Sequence, residues 1–184
     1  MATLYTIGHS TRIFDAFVAA LRAHQIEVLA DIRSIPMSRR LPQFNREHLA
    51  QELPQHGIEY RWMQALGGRR KRSLPKGESP NSALRSDSFR NYADYMLTPE
   101  FSAAMRELIA LAEQKRVAYM CAERLWFRCH RMMVSDWLTA HGNTVLHIDD
   151  ARLPKTHELM REARLSGDHV IYDRGETTSM FVDK

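Results

Sequence analysis

The chain has 184 residues, 44% apolar and 26% charged, the proportions of an ordinary globular domain rather than a disordered or fibrous chain. Two cysteines are too few for a disulfide framework, the apolar runs are too short for a membrane span, and residues 1–10 lack a signal-peptide pattern, so the cytoplasm is the expected compartment. A formal charge of +4 and a pI near 9.3 admit a phosphate-bearing partner without requiring one.

Leu4 to Ile7 is an apolar, β-branched run that predicts a first strand ending at Gly8 and delivering His9 and Ser10. Ser10 or Thr11 is placed to cap a helix, on which Ile13, Phe14, Phe17, Val18 and Leu21 recur at helical spacing. Val28 to Ile32 predicts a second buried strand, with Asp31 and Arg33 at its end. Pro36 and Pro42 mark a loop over residues 34–45, before a helix from about Asn45 to His56 and a third strand within Ile58 to Met63.

Residues 64–87 hold Gly67-Gly68, the basic run Arg69, Arg70, Lys71 and Arg72, two prolines and several serines, which is loop chemistry. Helical spacing returns with Phe89, Tyr92, Tyr95 and Met96, and after Pro99 with Phe101, Met105, Leu108 and Leu111. A buried strand from Val117 ends at Cys121, Met132 to His141 reads as a helix, Thr144 to Ile148 as a strand, and Glu158 to Leu165 as a last helix closed by Gly167. After residue 167, Val170 to Tyr172 and Met180 to Val182 fit an edge strand, a partner-binding arm or an extension. Alternating strands and helices imply one α/β domain over residues 1–184, a Rossmann-like, largely parallel sheet covered by helices on both faces.

In such sheets ligands gather outside the carboxyl ends of the strands. That rule selects His9 and Ser10, Asp31 and Arg33, Cys121 and Glu123, and His147 with Asp149. The segment from Cys121 to Arg131 joins a strand to a helix, so the free N–H groups of the helix start, with Arg128 and Arg131, predict an anion site. Cys129 near that start gains thiolate character from the dipole and the cations, which makes it a candidate nucleophile, with His130 as a general acid or base. Buried cysteines also simply pack, Arg131 and Glu123 have the alternative of pairing with each other, and Asp31 with Arg33 fits a buried ion pair that fixes a loop.

The spacing from Cys121 to Arg128 is one residue longer than the phosphatase Cys-x5-Arg loop, so phosphatase chemistry is not assigned. One glycine at position 8 does not make a nucleotide fingerprint, no cofactor is implied, and no histidine spacing predicts a metal site. Arg69 to Arg72, with Tyr60, Arg61 and Trp62, offer a second reading as a nucleic-acid surface.

Together, Thr6 to Ser10, Asp31 to Arg33, Pro36 to Arg40, the Gly-Gly near residue 67, and Cys121 to Glu123 followed by Cys129 to Arg131 resemble the domain of unknown function 488 family, over about residues 3–149. The resemblance implies a small α/β protein of bacteria and archaea without an assigned reaction. It also implies that His9, Ser10, Asp31, Arg33, Arg39, Cys121, Glu123, Cys129, His130 and Arg131 belong to one site. The functional expectation is an enzyme with a Cys/His/Arg anion pocket for a small phosphate-bearing or nucleotide-like substrate. The alternatives are a nucleic-acid-binding module and a small-anion sensor without turnover.

Overall fold

Short apolar runs pair into a six-stranded sheet: β1 (Thr3–Gly8), β2 (Val28–Asp31), β3 (Glu59–Trp62), β4 (Val117–Cys121), β5 (Thr144–Ile148) and β6 (Lys155–Thr156). The structure, a computed structural model, describes residues 1–75 and 77–173. The strand order is β3-β2-β4-β1-β5-β6, parallel except for the antiparallel edge strand β6.

Among the described residues five helices cover the sheet: α1 (Phe14–Ala23), α2 (Arg46–Glu52), α3 (Asp87–Tyr95), α4 (Pro99–Ala112) and α5 (Arg131–Ala140). The two-residue period of the strands divides the core between the faces. On β4, Ala118 and Met120 pack with Phe17, Leu21 and Leu49 of α1 and α2. Val117 and Tyr119 pack with Phe101, Met105, Met133 and Leu138 of α4 and α5. Thr98 caps α4 by accepting the Phe101 N–H, with Pro99 in the first turn. Among the described residues no helix is long and apolar enough to cross a membrane.

The connection from β1 runs to β2, beyond β4, whereas that from β4 runs to β5, beyond β1. The chain therefore leaves these two adjacent strands in opposite directions; the segment after β4 crosses over the end of β1, and the cavity of the sheet lies beside it, lined by the segments that follow β2 and β4.

Two expectations fail. Residues 158–165 are not a helix: β7 (Ala163–Ser166) and β8 (His169–Tyr172) form an antiparallel hairpin whose turn is Gly167-Asp168. Gly167 has φ +60°, and a Gly-Asp pair between two short runs is a hairpin signal that outweighs the weak helical spacing before it. Ala163, Val170 and Tyr172 pack into the α4–α5 core, while Leu165 stays exposed. Met180 to Val182 lie outside the described residues.

Nor does Ser10 or Thr11 cap α1, which starts at Phe14 with Ile13 at the cap position and no side-chain bond. Ser10 instead has φ +50°, with its N–H on the Ala122 carbonyl and its own carbonyl accepting from the His9 ring.

Candidate active site

Beyond Cys121 the chain folds back over β1 as a loop, makes a tight turn at Trp126–Arg128 and enters α5. The N–H groups of His9 and Ser10 donate to the carbonyls of Cys121 and Ala122 at 3.0 and 2.9 Å, extending the β1/β4 pairing into the loop. These two N–H groups are thus engaged within the protein. A Cβ on Gly8 would lie 1.9 Å from the Glu123 carbonyl oxygen, so only glycine lets the loop cross here.

The loop brings Cys129 Sγ to 3.1 Å from Cys121 Sγ, with both cysteines unbonded. Arg131, 1% exposed, reaches back from the first turn of α5 and directs Nε at both sulfurs, 3.2 Å from Cys121 and 3.4 Å from Cys129. Its other nitrogens donate to Thr6 Oγ1 and to the Glu123 and Arg124 carbonyls. Among the described residues Arg131 has no carboxylate partner, so sulfur is its counter-charge.

The hydrogen bond from Cys121 lowers the Cys129 thiol to about 6, with further help from the Arg131 side chain and its backbone N–H. Donating that bond, and burial, push Cys121 well above the ordinary thiol range. The electrostatics of the pair thus favour a thiolate on Cys129, at the start of α5, over one on Cys121.

Both cysteines line a cavity of about 320 Å³. Phe89 and Tyr92 of α3 form its aromatic wall, and Arg69, Arg128 and Glu123 stand at exposed positions of its lining. His130 joins it with Nε2 donating to the Ile32 carbonyl at 2.9 Å, which leaves Nδ1 as the acceptor. Burial lowers His130 to about 4, so the ring is neutral. Gly67 and Gly68 let the following loop close over this wall: a Cβ would meet Ser34 Oγ at 2.5 Å on Gly67 and His130 Nδ1 at 2.4 Å on Gly68. Cys121 and Cys129 sulfur and a His130 ring nitrogen lie within 4.8 Å of one another, a donor set suited to a soft metal that no sequence spacing announced.

The other expected residues divide between wall and support. Arg33 lines the cavity, but its Nε and Nη2 grip Asp31, Nη2 also donates to the Phe44 carbonyl, and Nη1 donates to His9 Nε2 at 3.2 Å. Tyr60 adds its hydroxyl to Asp31 at 2.7 Å, and Trp62 Nε1 donates to the Arg33 carbonyl. His9, stacked on Phe44 with centroids 4.2 Å apart, is lowered by burial to about 4.

Glu123 meets Arg131 through its backbone carbonyl, while its carboxylate accepts the Leu125 N–H. Arg39 is exposed on the 34–45 loop and does not line the cavity. Arg70 is folded back, donating to the Gly67 and Ala65 carbonyls and lying 3.6 Å from the Tyr95 ring centroid. That leaves Arg69, Lys71 and Arg72 as the exposed cations of that run.

A second buried network adjoins the first. Asp136 on α5 accepts from His157 Nε2 at 2.9 Å, from the Met160 N–H and from the Tyr172 hydroxyl at 3.0 Å. His157 Nδ1 lies 3.0 Å from His147 Nε2, and the His147 ring stacks on Trp126 with centroids 4.2 Å apart. This chain braces the loop that carries Cys129. Of the titratable residues in it sequence reasoning singled out only His147, because the partners of Asp136 lie up to 36 residues away and share no spacing.

The family model described as domain of unknown function DUF488 matches residues 14–138. That span takes in Asp31 to Arg33, Gly67-Gly68 and Cys121 to Arg131, and leaves out His9, Ser10 and the 147–173 segment. No curated protein and no solved structure matches the chain.

Proposed function

The chain belongs to the DUF488 family, and from that premise we propose that it is a cytoplasmic thiol enzyme acting on a small anionic, phosphate-bearing or nucleotide-like substrate. One observation carries the reading: a buried guanidinium balanced by sulfur rather than by carboxylate, with both cysteines lining a cavity. A buried cation matched only by thiols keeps one of them ionised, and an ionised thiol beside a cavity is a nucleophile. Arg69 and Arg128 suit the substrate's anionic groups, and Phe89 with Tyr92 a planar ring.

In this mechanism the Cys129 thiolate attacks an electrophilic centre, and the leaving group takes the Cys121 proton. Arg131, already bonded to both sulfurs, stabilises the new Cys121 thiolate. Water then cleaves the adduct and returns its proton to Cys121. His130, neutral and fixed through Nε2 on the Ile32 carbonyl, holds the wall beside the sulfurs. Arg33, Asp31 and His9 hold the β2 wall in place.

The test is alkylation by iodoacetamide, followed by peptide mass spectrometry as pH is varied. Cys129 is expected to be labelled in preference to Cys121, with a midpoint near 6. A Cys129 that stays inert until the ordinary thiol range, about pH 8 to 9, overturns the reading.

A further inference from the structure

We propose that Cys129 and Cys121 act together as a dithiol that reduces the sulfur–sulfur bond of an anionic disulfide, Cys129 attacking and Cys121 resolving. This rests on the nucleophilic role of Cys129 and is a further activity of the same site, in which Cys121 rather than water removes the adduct. In the hydrolytic cycle Cys121 serves only as a proton donor, a role that does not require its sulfur to touch Cys129. Here a second sulfur stands 3.1 Å from the first on the same cavity floor, so any sulfur adduct on Cys129 forms within reach of Cys121. Arg131 Nε faces both atoms at nearly equal distance, 3.2 and 3.4 Å, and so stabilises whichever sulfur carries the charge at each step. The exposed cations Arg69 and Arg128 select a disulfide bearing anionic groups.

The Cys129 thiolate attacks one sulfur of the substrate, forming a mixed disulfide, and the departing sulfur takes the proton from Cys121. The Cys121 thiolate then attacks Cys129 Sγ, forming the Cys121–Cys129 disulfide and releasing the second half as a thiolate. The substrate gains two electrons and the protein loses two. A low-molecular-weight thiol restores the dithiol by two successive exchanges, leaving as its own disulfide.

This chemistry has a consequence for stability. Once the sulfurs are joined they carry no charge, and Arg131 keeps only the Thr6 hydroxyl and two carbonyls as partners. A buried guanidinium without counter-charge is destabilising, and the short loop from Cys121 to Cys129 gives a modest entropic gain in return. The oxidised protein is therefore less stable than the dithiol, the reverse of an ordinary cross-link, and its disulfide is readily reduced.

The test incubates the intact chain, and its Cys121→Ser variant, with oxidised glutathione, reading products by intact mass and peptide mapping. The wild type is expected to lose two hydrogens and hold no glutathione, whereas Cys121→Ser accumulates the adduct on Cys129. Oxidised wild type is expected to unfold at lower urea concentration than reduced wild type.

A wild type that retains the adduct or stays reduced, an adduct on Cys121 in a Cys129→Ser chain that forms as fast as the one on Cys129, or an oxidised form more stable than the reduced one overturns the proposal. If the disulfide does not form while Cys129 still alkylates with its midpoint near 6, the dithiol activity falls and the nucleophile stands. If Cys129 is inert to alkylation, the reading beneath both falls.

Discussion

Arg131 and Asp136 stand roughly one and a half turns apart on α5, and each anchors a buried polar cluster on the same face of the sheet. Asp136 is met by hard partners: an imidazole, a phenol and a backbone N–H, all held by the fold. Arg131 is met by two sulfurs and three oxygens, and its sulfurs open to a cavity. Asp136, His157 and Tyr172 are closed within the fold, and only His147, at the far end of the chain, borders a separate cavity beside Asp149 and Lys155, its buried Nδ1 without a hydrogen-bond partner among the described residues. The difference separates structural from reactive buried charge. A charge whose partners are all inside the fold stabilises the fold, while one whose partner is a polarisable atom facing open space is available for chemistry.

Acidification should disturb both clusters at once and have the largest effect. His130 beside the sulfurs is lowered to about 4, His147 beside His157 to about 3 and His9 on the β2 wall to about 4, each chiefly by burial. The unfolded chain takes up these protons near 6.5, so the stability from neutral histidines is present above about pH 6.5 and is lost as pH falls towards 4. Urea midpoints measured across this range should fall steadily. A flat profile would show that the three rings are not held neutral.

Substitution separates the clusters. Asp136→Ala should cost about 3–5 kcal/mol, because it strands His157 and Tyr172 in the core, and should leave the selectivity of Cys129 alkylation intact in the folded fraction. Arg131→Met should show the opposite balance. Its thiolate partner can take up a proton, so the stability loss in urea should be smaller, about 1–3 kcal/mol for the carbonyls left unpaired. Cys129 alkylation near neutral pH should slow at least tenfold, about 1.4 kcal/mol. If the two variants slow alkylation equally, the division between the clusters fails.

The strands and their order along the chain were readable because each is an apolar run bounded by glycine, proline or a polar turn. Cys121, Glu123, Cys129, His130 and Arg33 were legible as cavity residues by position alone, since strand ends and helix starts are where a parallel sheet presents side chains. Phe89 and Tyr92 read as core because their helical spacing is the same whether the face meets a core or a cavity. The 163–172 hairpin was missed because a few apolar residues in a polar stretch fit either period, and the pairing that decides between them is non-local.

By itself the sequence determined the α/β alternation, the loops at strand ends and the presence of thiols near a helix start, because these follow from local period and turn chemistry. Only the tertiary structure decided what those groups do. It turned Arg131 inward to the sulfurs rather than outward to a ligand, and it joined Asp136 to residues as distant as Tyr172. It also brought Cys129 onto Cys121 beneath a loop that Gly8 alone admits. The physical reason is that the charge state of a buried group depends on which partners surround it in space, and sequence separation carries almost no information about that.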